Sequence, residues 1–275
     1  MIFAGIDIGS RTTKACLMEN GSFLSYGITK TTPDIPKTAY AVLSEALRKK
    51  DLSMEEIVYI VATGYGRISV PFAKRHITEI SCHALGTTFF SKEIRTVLDM
   101  GGQDLKVIRC DEKGRVIKFL MNDKCAAGTG RFLERVAEAL KVPLDLIGDL
   151  SLNPVHGPEK ISSHCVVFAL DDVLSLLRQG RHVNDIFAGL SDALAERILT
   201  MMKRLGIERD VAICGGIAKN KGIVRRIEEM LGFPVFLPSE PQIVGALGAA
   251  IFARRLYEEQ KRGPHKASFF TTSLP

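Results

Sequence analysis

The chain has 275 residues, a length that suits one large or two medium-sized domains. Its 46% hydrophobic and 25% charged residues are typical of soluble globular proteins and exclude a disordered or fibrous chain. The formal net charge of +6 partly reflects basic residues near the C-terminus. Because no stripe of alternating basic and aromatic residues accompanies them, we expect no nucleic-acid partner.

Neither a membrane span nor a secretory signal is predicted. No stretch approaches the roughly 20 consecutive apolar residues that a transmembrane helix needs, so we expect no membrane partner. The segment from Met1 lacks a basic start, and Asp7 interrupts its apolar run. We therefore expect a cytoplasmic protein, whose six cysteines are reduced thiols or metal ligands rather than disulfides.

The first third of the chain predicts a strand meander, one helix and one further strand. Apolar and β-branched runs indicate the strands, and Asn20-Gly21 is typical of the hairpin turn between the second and the third. The predicted strands are 2–8, 13–18, 23–28 and 57–63, and helical spacing of apolar residues predicts a helix at 35–49.

A second meander is predicted at 96–100, 105–109 and 116–121, after which the pattern becomes mainly helical. The predicted helices are 130–140, 166–178, 183–205, 222–231 and 243–260, with a short buried strand at 211–213. Since strands precede helices twice, we predict an α/β fold of two lobes around a shared nucleotide cleft. The first lobe would comprise 1–92 with 246–260, the second 93–245, and 261–275 would form a flexible tail.

Two segments end an apolar run in an aspartate and continue into a glycine turn. Asp7 precedes Gly9 in the first segment, and Asp99, 92 residues later, precedes Gly101 and Gly102 in the second. A carboxylate at a strand end can face a metal-bound phosphate, and glycine lets backbone N–H groups approach phosphate oxygens. One such turn would be ordinary hairpin chemistry. Two of them predict a duplicated hairpin that grips one polyphosphate from both sides.

The residues that follow each aspartate carry suitable groups for ATP. Gln103 or Asp104 in the second turn could orient the water that attacks the phosphate. Around the first turn, hydroxyls and positive charge suit a β- or γ-phosphate with its Mg²⁺, and the predicted nucleotide-binding residues there are Gly9, Ser10, Arg11, Thr12, Thr13 and Lys14.

A third segment follows a strand and precedes a helix. Its double glycine, Gly215-Gly216, would let an adenine or ribose lie flat against the backbone, with Lys219 and Asn220 nearby. Each of the three segments, taken singly, is also compatible with a tight turn of purely structural role. Their order and spacing together favour a nucleotide site.

The three segments resemble the phosphate-1, phosphate-2 and adenosine motifs of the actin-like, sugar-kinase-like ATPase superfamily, whose lobes have a ribonuclease H-like fold. Gln242 and the small residues at 245–250 resemble the closing helix of that superfamily. The resemblance implies that Gln242 belongs to the nucleotide site. Small residues on a helix that packs closely would also explain this stretch on structural grounds alone.

The six cysteines contain no C-x-x-C pair, so zinc-knuckle and plant-type ferredoxin spacings are absent. Cys16, Cys110 and Cys214 lie in or at the end of apolar strands, where a small buried residue is expected, and Cys82 is undecided. The remaining two, at positions 125 and 165, precede predicted helices. There the helix dipole and free N–H groups stabilise a thiolate.

Residues 122–134 and 161–169 resemble the activator (component A) of 2-hydroxyacyl-CoA dehydratases and the related ATPase subunits of benzoyl-CoA reductases. Residues 62–67 and 81–84 are similar to that family too, and the likeness extends over about 1–253. The chain departs from the family at Leu170-Asp171-Asp172, where Glu-Ser-Glu is usual, and at Ile243-Val244, where polar residues are usual. These departures concern the identity of the partner protein and the way in which the nucleotide site is coupled to it.

The resemblance implies an ATP-hydrolysing activator in which Cys125 and Cys165 are ligands of a [4Fe–4S] cluster. Such a cluster needs four thiolates, so two identical chains would share it on a twofold axis. Ferredoxin or flavodoxin would donate an electron, and Mg²⁺-ATP would bind with Asp7 and Asp99 beside the phosphates. Nucleotide-driven closure would move the helices that begin at the two cysteines, and the partner would be a dehydratase with its own iron–sulfur cluster.

Two other functions fit the nucleotide segments alone. One is a small-molecule kinase of the same fold, acting on a sugar or a carboxylate without a cluster; no obvious insertion forms a substrate pocket for it. The other is a non-catalytic protein whose interactions are gated by nucleotide, against which Gln103 and Asp104 count as candidates for positioning water. A visible absorption band after purification without oxygen would favour the activator.

Overall fold

The computed structural model describes residues 1–123, 128–162 and 165–262. Over these residues the chain is a mixed α/β protein with two β-sheets, and it divides into two compact units. Unit one consists of Met1–Ile8, Thr12–Cys82 and the chain from Gly245, and unit two of Gly9–Arg11 and His83–Val244. The predicted lobe boundaries stay a prediction, and residues 263–275 of the predicted tail lie outside the described residues.

The strands in chain order are β1 Ile2–Ile8, β2 Thr12–Glu19, β3 Ser22–Lys30, β4 Ile57–Thr63, β5 Arg75–His76, β6 Thr96–Met100, β7 Leu105–Cys110, β8 Val116–Asn122 and β9 Val211–Cys214. The α-helices are α1 Ile35–Arg48, α2 Glu79–Thr87, α3 Gly130–Leu140, α4 Ile147–Ser151, α5 Val166–Arg178, α6 Val183–Leu205, α7 Lys221–Leu231 and α8 Val244–Arg262.

Unit one is built on a five-stranded sheet in the order β3-β2-β1-β4-β5. Strand β1 pairs antiparallel with β2 and parallel with β4, and it is buried along its whole length because α1 covers one face and α8 the other. Helix α1 begins after Asp34, whose carboxylate accepts a hydrogen bond from the Lys37 N–H, and packs its apolar face against the sheet. The apolar spacing that predicted this helix is therefore the face that forms the core.

Helix α8 lies against the same unit through its small residues. A methyl group added at Gly5 of β1 would overlap the backbone of α8 at Ala246 and Ala250, and one added at Gly248 of α8 would overlap the backbone of Cys82. The glycines and alanines of α8 thus permit backbone-to-backbone packing within unit one. This close packing is the structural role that the small residues at 245–250 were expected to allow.

Unit two is built on a four-stranded sheet in the order β8-β7-β6-β9. Its main core joins the sheet to the long helix α6 through buried residues such as Leu98, Val107 and Phe187. Helix α7 packs beside α6 through Ile223 and Ile227 in the same core. Strand β6, at the centre of the sheet, therefore holds Asp99 in a rigid frame.

Every strand and helix predicted from the sequence is present, with ends within two residues of those predicted. Helices α2 and α4 and the short strand β5 were not predicted. In α2 the four successive residues Cys82, His83, Ala84 and Leu85 are all buried, so the helix has no polar face in that stretch to reveal its period. Over the described part of the chain, no helix is long and apolar enough to cross a membrane.

Candidate functional site

The first predicted phosphate turn, Gly9–Arg11, joins β1 to β2; the turn belongs to unit two, whereas both strands belong to unit one. The antiparallel register pairs Asp7 with Lys14, and the Lys14 Nζ lies 3.3 Å from Asp7 Oδ2. Asp7 is almost fully buried, so its charge faces a lysine rather than bulk water. Thr13, predicted to bind nucleotide, is fully buried and shares a hydroxyl hydrogen bond of 2.9 Å with Thr31. Thr12 is the partly exposed first residue of β2.

The second turn repeats this arrangement in unit two. Asp99 of β6 pairs with Lys106 of β7, and the Lys106 Nζ lies 3.3 Å from Asp99 Oδ2. The same nitrogen lies 2.8 Å from Asp104 Oδ2. Lys106 was not predicted from the sequence, although it follows Asp99 at the spacing that separates Lys14 from Asp7. The two hairpins therefore share their register as well as their sequence pattern.

A glycine lies against the carboxylate of each buried aspartate, and any other residue at that position would displace the carboxylate. Gly215 follows β9 with φ +90°, and a Cβ there would lie 2.7 Å from Asp99 Oδ1. Gly64 follows β4 with φ +84°, and a Cβ there would overlap Asp7 Oδ1. Both positions need positive φ and a missing side chain at once. Gly215 was predicted as part of the nucleotide site, whereas this packing role of Gly64 was not predicted.

Within unit two the first and second turns lie against each other. A Cβ at Gly102 would be 2.5 Å from Arg11 Cγ and 3.4 Å from Ser10 Oγ. The Gly101 N–H donates to the Asp104 carbonyl at 3.0 Å, which closes the second turn. Ser10 and Gln103 are exposed, whereas Gly9 is partly buried. The structure thus brings Gly9, Ser10 and Arg11 next to Gly101, Gly102 and Gln103.

Helix α3 begins directly on this pair of turns. The N–H of Gly130 donates to the Gly101 carbonyl at 3.1 Å, and that of Arg131 donates to the Gly102 carbonyl at 2.8 Å. Glu134, one turn later, accepts from Arg11 Nε at 3.1 Å and lies 2.7 Å from Arg11 Nη2. The free N–H groups of the helix start are therefore satisfied by the second turn. Sequence analysis did not identify Glu134.

The third predicted segment follows β9 in unit two. The Gly215 N–H donates to the Pro241 carbonyl at 2.9 Å, and Gly216 begins a short 3₁₀ turn. A Cβ added at Gly216 would lie 3.5 Å from Gln242 Nε2. Lys219 Nζ lies 2.8 Å from Glu240 Oε2. The Asn220 side chain caps α7 by accepting from the Ile223 N–H at 3.1 Å. The structure therefore groups Gly215, Gly216 and Gln242, while Lys219 and Asn220 have partners of their own.

Asp99 lies in a buried group of three residues of metal-binding types. His83, Asp99 and Cys214 bring one potential ligand atom each within 4.8 Å of one another. The His83 Nε2 lies 3.5 Å from Asp99 Oδ1, and Cys214 Sγ lies 4.0 Å from the same oxygen. The Lys106 ammonium lies against the other oxygen of Asp99 and offsets part of its negative charge. His83 was not predicted to approach Asp99, because α2 was not predicted.

The cysteines of the described residues separate into buried and accessible thiols. Cys16, Cys82, Cys110 and Cys214 are fully buried, as predicted for the three that lie in strands. Burial raises the pKa of the Cys110 thiol to about 11, and it raises the pKa of Cys16 and Cys82 even further. Cys165 is partly exposed. Cys125, the other predicted cluster ligand, lies outside the described residues.

Cys165 is the N-cap residue of α5. Its carbonyl accepts the Ala169 N–H at 2.9 Å, so the thiol is carried at the positive end of the helix. The next two described side chains, Val167 and Phe168, are each 63% exposed, which is unusual for large apolar residues on one helix turn. Asp172, one of the residues that depart from the family pattern, accepts the Ser162 N–H at 2.9 Å and so ties α5 to the segment before Cys165.

The comparison with protein families matches residues 4–253 to the BadF/BadG/BcrA/BcrD ATPase family. The chain is 41% identical over 253 residues to the 2-hydroxyisocaproyl-CoA dehydratase activator of Clostridioides difficile, covering 92% of this chain and 95% of that protein. The resemblance inferred from the cysteine segments is thereby confirmed.

Solved structures agree with the fold prediction. The (R)-2-hydroxyglutaryl-CoA dehydratase component A of Acidaminococcus fermentans matches with a TM-score of 0.90 and 36% identity, covering 94% of this chain and 99% of that one. A glucokinase of the ROK family from Streptomyces griseus matches with a TM-score of 0.56 and 14% identity over 93% of this chain and 100% of that one, which shows the fold alone. The predicted α/β fold of the actin-like, sugar-kinase-like class is confirmed.

Proposed function

This chain belongs to the BadF/BadG/BcrA/BcrD ATPase family, and we propose that it is an activator that couples ATP hydrolysis to one-electron transfer. ATPase activity follows from the family. The acceptor would be an enzyme of the 2-hydroxyacyl-CoA dehydratase type. The observation that carries the proposal is the start of α3, the helix that follows Cys125 in the chain. Its first N–H groups bind the turn predicted to hold phosphate.

In the proposed ATP site, Asp7 and Asp99 would lie beside the Mg²⁺-bound phosphates, as the resemblance to the ATPase superfamily implies. Both are buried carboxylates at strand ends and suit a hard cation, although each also contacts a lysine. The backbone N–H groups of the first two turns would bind phosphate oxygens, and Lys14 would add positive charge. Gln103, which is exposed on the second turn, would orient the attacking water.

The proposed cluster ligands are Cys125 and Cys165. The thiol of Cys165 at the start of α5 supports its part in this set, because it is partly exposed and a cluster could reach it. Two chains would supply the four thiolates of one [4Fe–4S] cluster. The exposed Val167 and Phe168, next to Cys165, suit burial against a second copy. When bound, the cluster would hold one electron between donor and acceptor.

Coupling would pass through α3. Arg11 belongs to the first turn and Gly101 and Gly102 to the second, and all three bind the first turns of this helix. A change in either turn on hydrolysis would therefore move the start of α3 and, through the chain, the segment that carries Cys125. Ferredoxin or flavodoxin would supply the electron.

Purification without oxygen tests the proposal. We expect a brown homodimer with about four iron atoms per dimer, which hydrolyses ATP and loses its visible absorption in the Cys125→Ala and Cys165→Ala variants. Cys110→Ala, at a buried strand position, is the matched control and should keep the colour. Either ligand variant with full iron content would overturn the ligand assignment.

The same preparation separates the alternatives. A colourless, iron-free protein that hydrolyses ATP only with a sugar or carboxylate acceptor would be a small-molecule kinase. A colourless protein that binds nucleotide without turnover would be a gated interaction protein. Both outcomes would contradict the activator.

A further inference from the structure

We propose that Lys106 is a positioning residue of the ATPase site, which holds Asp99 and Asp104 in place by its charge. The inference rests on the proposed function, because it concerns the same phosphate turn. It also assigns different roles to the two residues that sequence analysis offered for orienting water. Gln103 would orient the water, and Asp104 would act only through Lys106.

The first observation is the geometry of the ammonium group. The Lys106 Nζ lies 3.3 Å from Asp99 Oδ2 and 2.8 Å from Asp104 Oδ2, and the lysine side chain is only 3% exposed. A buried ammonium is costly unless carboxylates surround it, so the three charges stabilise one another in one arrangement. Removing the ammonium would leave Asp99 and Asp104 without the positive charge that both contact.

The second observation is the comparison of the two hairpins. Lys14 occupies the place of Lys106 in the first hairpin and lies at the same 3.3 Å from its aspartate. The residue in the place of Asp104 is Thr12, which carries no charge. The additional carboxylate is thus a property of the second turn. Lys14 is 12% exposed, which leaves it better placed than Lys106 for contact with a phosphate.

The third observation is the arrangement of the second turn itself. The Gly101 N–H donates to the Asp104 carbonyl, and Asp104 is 30% exposed with one carboxylate oxygen on Lys106. Asp104 is therefore fixed by its backbone and by its side chain. Gln103, on the same turn, has an exposed side chain. The exposed Gln103 can reach a water beside a bound phosphate, whereas one carboxylate oxygen of Asp104 is held by Lys106.

A double-mutant cycle tests the inference in the full-length, cluster-containing protein. Lys106→Met should lower the kcat for ATP at least about tenfold, because Asp99 is then no longer held in place. Asp104→Asn should lower it about threefold to tenfold. The kcat of the double variant should equal that of Lys106→Met within about twofold, because Asp104 acts only through Lys106. The control is Lys118→Met, an exposed lysine of β8, which should leave kcat unchanged.

Two results would overturn the inference. One is a double variant slowed by the product of the two single effects, and the other is a Lys106→Met variant that keeps kcat within twofold. If Lys106→Met does not fold, the pH profile of Asp104→Asn decides instead. We expect the kcat of Asp104→Asn still to fall at low pH, as in the wild type. If that fall is lost, Asp104 is the general base. All these measurements are ATPase rates. A failure of the inference is therefore distinguishable from a failure of the proposed function, which is tested by iron content and electron transfer.

Discussion

Arg11 and Glu134 join the first predicted phosphate turn to helix α3 by two contacts. Arg11 Nε donates to Glu134 Oε1 at 3.1 Å, and Arg11 Nη2 lies 2.7 Å from Glu134 Oε2. The pair has the parallel two-bond geometry that makes arginine–carboxylate contacts directional. Arg131 also contacts Glu134, at 3.0 Å, so the glutamate is held from its own helix as well.

Glu134→Gln should weaken the attachment of the first turn and raise the KM for ATP. Arg11 is 46% exposed, and an ion pair this exposed is worth up to ~1 kcal/mol, which corresponds to an increase in KM of up to about fivefold. Steady-state ATPase assays at two salt concentrations measure it. The difference between variant and wild type should shrink at high salt, because screening weakens the pair in the wild type too.

The control for Glu134 is Glu138→Gln, an exposed glutamate one turn further along α3. We expect no change of KM in that variant. Equal effects of the two substitutions would mean that the helix needs negative charge in general and that the Arg11 contact has no separate role.

Gly215→Ala should destabilise the protein by about 3 kcal/mol. The conformation, with φ +90° and ψ 178°, is essentially restricted to glycine, and the added Cβ would lie 2.7 Å from Asp99 Oδ1. Backbone strain of about 1–2 kcal/mol and overpacking of about 1–3 kcal/mol add to that figure. Urea denaturation measures the change in the free energy of unfolding, and ATPase activity should fall as Asp99 is displaced.

Gly232→Ala is the comparison for this variant. Gly232 also has a positive φ, +76°, but nothing lies within 4 Å of the Cβ position. We expect a loss of about 1–2 kcal/mol with unchanged ATPase activity. A Gly215→Ala variant no less stable or active than Gly232→Ala would show that the carboxylate contact is unimportant.

Thiol accessibility should single out Cys165 from the buried cysteines. Alkylation reacts with the thiolate, and burial both shields Cys16, Cys82 and Cys110 and raises their pKa. In cluster-free protein at neutral pH, iodoacetamide should modify Cys165 and leave those three unmodified, as measured by peptide mass spectrometry. In cluster-loaded protein Cys165 should be protected. Labelling of Cys165 at the same rate in both forms would remove it from the ligand set.

Much of the fold could be predicted because local patterns agree with it. The strands of the meanders have alternating apolar and polar residues or are rich in β-branched residues, and α1 has an apolar stripe. Both kinds of element are therefore evident from short-range spacing. Helix α2 escaped prediction because it is buried on several sides. His83 escaped with it, since its approach to Asp99 is made by the tertiary structure.

The candidate site shows the same division. Asp7 and Asp99 are evident because each ends an apolar run, and their turns are short. Lys106 depends on the strand register, which the repeated spacing from aspartate to lysine could have indicated. Glu134 could not be found from sequence, because its contact with Arg11 joins residues 123 positions apart. Long-range pairing of polar groups leaves no periodic trace in the chain.

Asn220 offers a case in which predicted and observed roles can be separated. It was predicted to contact the nucleotide, whereas its side-chain oxygen accepts the Ile223 N–H at 3.1 Å and caps α7. Asn220→Asp keeps that acceptor but loses the amide donor, so a pure capping role predicts unchanged stability and unchanged KM for ATP. Asn220→Ala should cost about 1 kcal/mol of stability, measured by urea denaturation. A several-fold higher KM in Asn220→Asp, with stability intact, would instead put residue 220 beside the nucleotide, because the aspartate both lacks the amide donor and adds a negative charge that repels phosphate.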